Sequence, residues 1–184
     1  MGSQEIMEFQ PRFRNRNRVL ETKRLTLREM NLDDVDALVE VFSNSEVMRF
    51  YPKPFDRHTT KEWIERNMQR YAEQGFGLWM LILKENGKAI GDCGLVLQEV
   101  DGIEEIELGY HVHRDLWGQG LATEAALACR DYGFKQLSCD KLISLIHPSN
   151  IASRRVAENT GMGLIKEIKW RDTPTCLYAI KVLK

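Results

Sequence analysis

The sequence predicts a single α/β domain, and two patterns carry that prediction. Short alternating or continuous apolar stretches, typical of strands, are interspersed with stretches whose apolar residues recur every three or four positions, typical of helices. No linker, repeat or change of composition divides the chain after residue 24, and 184 residues suffice for one sizeable core. We therefore expect a basic leader over residues 1–20 and one domain over residues 21–184.

The first half of the predicted domain contains four strands and two helices. RLTLREM at 24–30 alternates apolar and polar residues and predicts a strand, and VDALVEVF at 35–42 has helical spacing. A second helix should start near Lys61 behind a Thr59 or Thr60 cap. Three antiparallel strands should follow, joined by the turn sequences ENGK and Asp101-Gly102, over residues 77–84, 89–99 and 103–112.

The second half alternates helices and strands. A helix is predicted from about Leu121 to Leu137, followed by the nearly continuous apolar strand KLISLIH at 141–147, as expected for a strand covered on both faces. IASRRVAEN at 151–159 predicts a short helix that Gly161 can end. Two closing strands come from the segments GLIKEIKW and TCLYAIKVL.

Composition excludes several classes of protein. A net charge of −1 is not that of a chain built to coat nucleic acid or an acidic membrane. No apolar run approaches the roughly 20 residues of a membrane span, and the first residues lack a secretory signal. The cysteines have no metal-site spacing, so we expect thiols in a cytoplasmic protein without a metal; they are Cys93, Cys129, Cys139 and Cys176.

The leader is the one strongly basic segment. Residues 11–28 carry seven Lys and Arg side chains against Glu21 alone. Such a run can meet RNA or an acidic partner surface, or it can be a solvated and flexible leader. Nucleic acid is not expected as a partner outside this segment.

The stretch HRDLWGQGLATEA, residues 113–125, joins a predicted strand to a predicted helix through two glycines. The first amides of a helix have no intrahelical partner and carry partial positive charge, and glycine lets a ligand approach the backbone or lets φ be positive. The stretch is therefore either a phosphate site made of backbone or a tight turn. Thr123 occupies the third glycine position of the dinucleotide fingerprint, which excludes that motif.

GYHVHRDLWGQGLATEA resembles the acyl-CoA-binding motif of the GNAT N-acetyltransferases, Gln/Arg-x-x-Gly-x-Gly/Ala, with Asp115 replacing the initial Gln or Arg. Its WGxGxAxEA form resembles the branch that contains ribosomal-protein alanine and serine N-acetyltransferases. ETKRLTLREM resembles the opening strand of that branch, and HPSNIASRRVAENTGM resembles its closing block, with Met162 in place of an aromatic residue. The resemblance spans roughly residues 21–183.

This resemblance implies a GNAT-type acyl-CoA N-acyltransferase fold. Its central sheet is mixed and mostly antiparallel, splays between the strands at 103–112 and 141–147, and has helices on both faces. Pantetheine lies in the splay like an added strand. The implied acetyl-CoA contacts are Val112, His113 and Arg114 for pantetheine, Gly118, Gln119, Gly120, Leu121, Ala122 and Thr123 for pyrophosphate, and Asn150 and Ser153 beside the thiol.

Acetyl transfer to an amine needs a neutral amine, a stabilised oxyanion and a proton for the thiolate. Strand alternation places Glu105 and Glu107 on one side with His111 and His113. Glu107 is the first candidate base because it is nearer the splay, and Glu105 is the second, although each can instead be a solvated strand residue. The two histidines are expected to pack near the cofactor rim.

Ser153 is the candidate proton donor to the thiolate, because the last helix lacks the Tyr that many family members carry there. Its alternative role is the third position of a helix capped at Asn150. The acceptor site is expected to lie under the loop at 47–55, with Tyr51 and Phe55, together with Trp63, as walls.

The predicted function is direct transfer of an acetyl group from acetyl-CoA to a primary amine in a ternary complex. A protein N-terminal α-amine is preferred as acceptor, and a small-molecule amine such as a polyamine, amino acid or aminoglycoside is the alternative. A non-catalytic acyl-CoA-binding regulator is the competing hypothesis. No membrane partner is expected, and a homodimer is left open.

Overall fold

One mixed sheet of eight strands organises residues 18–182, the part of the chain that the computed structural model describes. The strands are β1 (Arg18–Glu21), β2 (Leu25–Arg28), β3 (Leu78–Leu83), β4 (Ala89–Val100), β5 (Ile103–Val112), β6 (Lys141–Ile146), β7 (Gly163–Trp170) and β8 (Thr173–Lys181). Their order is β1-β2-β3-β4-β5-β6-β8-β7. The β5–β6 pair is parallel, and the other neighbouring strands are antiparallel.

Helices cover both faces of the sheet, as predicted. They are α1 (Val35–Phe42), α2 (Arg57–Gln74), α3 (Leu121–Lys135) and α4 (Ile151–Asn159). On one face Phe42 and Ile64 from α1 and α2 pack with Met80 of β3. On the other face Cys129 of α3 packs with Trp79, also on β3. The central strands are thus covered by helices on both faces of the sheet. This packing holds the side chains of those strands in place.

The predicted elements are confirmed, with two differences. Residues 18–20, assigned to the leader, belong to β1, which pairs with β2; the rest of that leader, residues 1–17, lies outside the described residues. The helix α2 begins at Arg57, because Asp56 rather than Thr59 or Thr60 is its N-cap. The Asp56 carboxylate accepts the Thr59 amide proton at 2.8 Å.

A buried ion pair joins β2 to the approach of α1. Arg28 donates two hydrogen bonds to the Asp34 carboxylate, at 2.8 and 2.6 Å, and the side chains are only 8% and 4% exposed. Asp34 also accepts the Asn31 amide proton at 2.9 Å, while Asn31 accepts that of Asp33 at 2.8 Å. This reciprocal capping fixes where the chain turns toward the helix.

The strands β5 and β6 separate after one shared position. In the described chain, Glu107 opposite Ile143 is the single registered pair between them, whereas β4 and β5 share ten. Ser144 Oγ donates to the Leu108 carbonyl at 2.7 Å beside this pair. The predicted splay is therefore present, and it opens toward the carboxyl ends of both strands.

Candidate active site

The gap between β5 and β6 is bordered by backbone groups of β5. The His113 amide donates to the Ile90 carbonyl at 2.7 Å, so it is paired within the sheet. Because successive residues of a strand point their backbone groups to alternate sides, those of Tyr110 and Val112 face the gap. The Val112 carbonyl accepts a hydrogen bond from Trp117 Nε1 at 2.8 Å. Of the residues predicted to meet pantetheine, Val112 thus faces the gap directly.

Arg114 begins the short 3-10 turn that follows β5. Its guanidinium lies 4.7 Å from the centre of the Trp117 ring, and its Nε donates to the Glu46 carboxylate. His113 precedes the turn, and its Nδ1 accepts the Asp115 amide proton at 3.3 Å. Both side chains therefore stabilise the turn that leads to the glycines.

The glycines adopt a backbone conformation that other residues rarely adopt. Gly118 has φ 76° and Gly120 has φ 75°, both left-handed. Gly120 is the N-cap of α3, so Leu121, Ala122 and Thr123 supply the first helical amides. A Cβ atom at Gly118 would have no neighbour within 4 Å. Conformation, rather than crowding by the chain, requires glycine there. This segment, residues 118–120, is called the glycine loop, and it leaves room for an anion.

Arg24 holds this loop, a contact that the sequence alone did not suggest. Its Nη1 donates to the Gln119 carbonyl at 2.9 Å, and its Nε donates to Glu124 at 2.6 Å. Thr22 also donates to Glu124, at 2.6 Å. Partial burial opposes ionisation of Glu124, but hydrogen bonds from Thr22 and Arg24 outweigh it and lower the pKa of that carboxyl. A cation is thereby fixed beside Gly120.

The start of α4 lies across the gap from β5. Asn150 is the N-cap, and its side-chain oxygen accepts the Ser153 amide proton at 3.2 Å. The capping alternative for Ser153 is therefore confirmed, with Ser153 as the third residue of the helix. Tyr110 donates its hydroxyl proton to the Ser153 carbonyl at 2.7 Å, which ties β5 to α4.

Glu107 is a partly buried carboxyl at the narrow end of the gap. Its Oε2 accepts a hydrogen bond from Gln98 at 2.8 Å, and Gln98 in turn accepts one from Arg171 at 3.2 Å. Burial raises the pKa of Glu107, and hydrogen bonds from Gln98 and the Leu145 amide reduce that rise. A carboxyl with a raised pKa is suited to taking a proton near neutral pH.

Glu105, the second candidate base, has a different environment. Its carboxylate accepts a hydrogen bond from Lys141 Nζ, and its side chain is 16% exposed. It also lies farther from the splay than Glu107 does. The structure therefore pairs Glu105 with a cation and Glu107 with a neutral amide.

His111 lies at the centre of a hydrogen-bonded chain. Its Nδ1 is 2.7 Å from Asp92 Oδ1, and its Nε2 is 2.8 Å from the Tyr51 hydroxyl. Asp92 is fully buried, and its Oδ2 accepts a hydrogen bond from Trp63 Nε1 at 2.8 Å. The ring centres of Phe42 and Trp63 lie 5.3 and 5.8 Å from that of His111. The sequence pointed to His111, Tyr51 and Trp63 but not to the buried Asp92.

The loop between α1 and α2 spans the gap. The Phe50 ring stacks on His147, which directly follows β6, with ring centres 4.8 Å apart. The next residue, Tyr51, reaches His111 on β5. Phe50 thus contacts the residue after β6, and Tyr51 contacts β5. We call this segment, Phe50–Tyr51, the roof.

Residues 18–182 show neither a metal-binding cluster nor a membrane-spanning helix. They contain no group of three or more His, Cys, Asp or Glu side chains arranged to hold a metal ion. None of their helices is long and apolar enough to cross a membrane. The four cysteines are free; Cys93 and Cys129 are buried with their sulfurs 3.5 Å apart, and burial raises the pKa of Cys93.

The chain is similar to known acetyltransferases in sequence. Residues 24–163 match the family model described as Acetyltransferase (GNAT) domain. The protein named Uncharacterized protein YkkB from Bacillus subtilis (strain 168) is 38% identical over 163 residues, which cover 88% of this chain and 95% of YkkB. Uncharacterized N-acetyltransferase p20 from Bacillus licheniformis is 31% identical, with 80% of this chain and 85% of p20 covered.

Solved structures share the fold. An acetyltransferase from Agrobacterium tumefaciens str. C58 superposes with a TM-score of 0.76 at 29% identity, covering 89% of this chain and 94% of the other. RimL, named ribosomal L7/L12 alpha-N-protein acetyltransferase and solved with coenzyme A, superposes with a TM-score of 0.72 at 17% identity, covering 88% and 96%. The splayed sheet, the glycine loop and the family match over most of the chain agree, and the chain belongs to the GNAT acetyltransferase family.

Proposed function

We propose that this chain transfers the acetyl group of acetyl-CoA directly to a primary amine, in a ternary complex. The observation that carries the proposal is the gap between β5 and β6, which has the glycine loop beyond its open end and the Glu107 carboxyl at its narrow end. A cofactor thioester and a proton acceptor can therefore meet beside one strand.

In this proposal acetyl-CoA lies along β5. Its pyrophosphate contacts the segment 118–123, where left-handed glycines, helix amides and the nearby Arg24 cation favour an anion. Its pantetheine pairs with backbone groups of Tyr110 and Val112 and extends past His113 and Arg114. The thiol end lies beside Asn150 and Ser153. The Tyr110 hydroxyl, which donates to the Ser153 carbonyl, holds these residues next to β5.

The proton balance defines what the side chains must do. An amine that arrives as an ammonium ion loses two protons, and the departing thiolate gains one. Glu107 takes the first proton, because its carboxyl is partly buried and its pKa is raised. Glu105 is the second candidate for that role, and the Ser153 hydroxyl is the candidate donor to the thiolate.

A protein N-terminal α-amine is the preferred acceptor, on the strength of the resemblance to the ribosomal-protein acetyltransferase branch. A small-molecule amine is the alternative. Incubation of the protein with acetyl-CoA and a panel of peptides, polyamines, amino acids and aminoglycosides tests both, with thiol release and product mass as readouts. Peptide acetylation is the expected result. Turnover of only small amines would replace the acceptor class, and coenzyme A binding without any turnover would indicate a regulator.

Replacing Gly120 with valine is expected to weaken coenzyme A binding at least about tenfold, equivalent to about 1.4 kcal/mol. A β-branched residue resists the left-handed conformation. Its Cβ atom would already be in van der Waals contact with Arg24 Nη2, at 3.6 Å, and its methyl groups would enter the space of the proposed phosphate. Isothermal titration with coenzyme A measures the effect.

Gly87→Val is the matched control for that change. Gly87 is also left-handed, with φ 71°, and a Cβ atom there would have no neighbour within 4 Å, but it lies in the β3–β4 turn. It carries the same backbone cost without touching the glycine loop. Equal coenzyme A affinity in the Gly120 variant and the wild type would refute the phosphate assignment.

A further inference from the structure

We propose that Tyr51, His111 and Asp92 form a proton relay that takes the second proton from the acceptor nitrogen as the amide bond forms. The inference rests on the proposed acetyl transfer and adds to it a route that neither Glu107 nor Glu105 supplies. It makes Tyr51 the catalytic residue that touches the amine, and it makes His111 the proton acceptor behind it.

The chemistry of the three groups fixes the direction of the chain. A carboxylate only accepts hydrogen bonds, so the proton between Asp92 and His111 belongs to His111 Nδ1. The Nε2 atom then carries the lone pair, and the Tyr51 hydroxyl donates to it. The Tyr51 oxygen keeps its own lone pairs for a proton that arrives from outside the chain.

Burial makes this arrangement suitable for transient charge. Asp92 is fully buried and is held by Trp63 Nε1 as well as by His111, so a negative charge is fixed beside the ring that becomes positive. Burial, with the charges of Asp92 and Glu107, raises the pKa of Tyr51. The phenol therefore stays protonated and passes a proton through rather than ending as a phenolate.

Position along β5 places the relay beside the reacting atoms. Glu107, Gly109 and His111 share one face of the strand, at intervals of about 7 Å. Gly109, between the other two, has no side chain, and a Cβ atom there would meet only Leu78, at 3.5 Å. No side chain of β5 therefore stands between the first proton acceptor and the relay, and both lie on the face of the strand that Tyr51 contacts.

The proposed step balances in atoms and electrons. The amine lone pair forms the bond to the thioester carbon, and the C–S bond breaks with its electron pair on sulfur. The N–H proton moves to the Tyr51 oxygen while the Tyr51 hydroxyl proton moves to His111 Nε2. Asp92 stabilises the resulting imidazolium, which later releases its proton to solvent, and the thiolate takes up one proton.

Charged and titratable groups lie near His111 on several elements of the described chain. They are Asp92 on β4, Glu107 on β5, Tyr51 in the roof and, on α2, Arg66, whose guanidinium lies 5.7 Å from the Trp63 ring centre. The helix α1 contributes the uncharged Phe42 ring. Of these groups, only Tyr51 and Asp92 bond the imidazole directly.

The test uses the amine that the wild type acetylates fastest and compares His111→Gln, Tyr51→Phe and the double variant. Each single change is expected to lower kcat about 10²-fold or more at every pH, including high pH where the amine is already neutral. The double variant should lose no more than either single one, because the residues act as a unit. The KM for acetyl-CoA should stay constant. Controls are His58→Gln, exposed on α2, and Tyr132→Phe, on the opposite face of the sheet.

The outcomes distinguish a failure of the proposed relay from a failure of the proposed acetyl transfer. An inactive wild type would reject the proposed function before any variant is made. An active wild type whose kcat survives either change, or recovers at high pH, would reject the relay and leave acetyl transfer intact. If His111→Gln shows no cooperative thermal unfolding transition, it is not folded, and Tyr51→Phe decides alone. That change keeps the ring and removes only the hydroxyl.

Discussion

Replacing Glu107 with glutamine is expected to slow acetyl transfer by about 10²- to 10⁴-fold at neutral pH. The amide cannot take a proton from the ammonium ion, although it fits the same space beside Gln98. At high pH the amine is neutral in solution, so much of the rate should return. The measurement is kcat/KM against pH. The raised pKa of Glu107 predicts that the wild-type rate falls, on acidification, at a higher pH than an ordinary carboxyl would give.

The same substitution should not destabilise the protein at neutral pH. Because burial raises the folded-state pKa of Glu107, its ionised form costs stability, and the cost disappears as pH falls below that pKa. The variant should therefore gain stability over the wild type above this pKa and gain none in acid. Glu104→Gln, at an exposed position of β5, is the control for rate and stability. An equal rate loss at neutral and high pH would remove Glu107 as the base.

Replacing Arg28 with leucine is expected to lower the free energy of unfolding by about 3–5 kcal/mol. The change leaves the Asp34 carboxylate buried at 4% exposure without its two guanidinium hydrogen bonds. It also loosens the junction between β2 and α1. Urea unfolding at neutral pH measures the loss, and for a chain of this size it should lower the melting temperature by several degrees.

Two comparisons test the cause of that loss. Lys166→Leu removes an ion pair with Asp101 whose side chains are 50% and 57% exposed, and it should cost less than about 1 kcal/mol. Arg28→Leu combined with Asp34→Asn removes the stranded charge and keeps an acceptor for the Asn31 amide. The double variant should regain part of the stability. If it is as unstable as Arg28→Leu alone, the buried charge is not the cause.

Elements whose ends carry local signals were predicted closely from the sequence. The helix α4 was predicted with the bounds that the structure has, because Asn150 caps its start and Gly161, with φ 87°, follows its end. The strand β1 was missed because its two apolar residues, Val19 and Leu20, lie in a run of arginines and become a strand only by pairing with β2. Tertiary pairing, rather than local preference, creates that element.

The site residues also differ in whether a local sequence pattern could predict them. The glycine loop could be predicted because one segment contains both the left-handed residues and the helix start. Tyr51 and His111 lie 60 residues apart, and no local pattern joins them. Asp92 could have been found, because the Asp101-Gly102 turn fixes the β4–β5 register and places Asp92 opposite His111.

Arg24 ties the amino-terminal strands to the proposed phosphate site, although those strands lie at the far edge of the sheet from the gap. One guanidinium links residues 95 positions apart in the chain, from the strand end to the Gln119 carbonyl. Thr22, two residues earlier, donates to the Glu124 carboxylate, which also accepts a hydrogen bond from Arg24. The smallest fragment that keeps this anchorage must therefore begin before Thr22, although the family match itself begins at residue 24. Shortening the chain past Thr22 would remove part of this anchorage of the glycine loop together with Val19 and Leu20, which pack against the core.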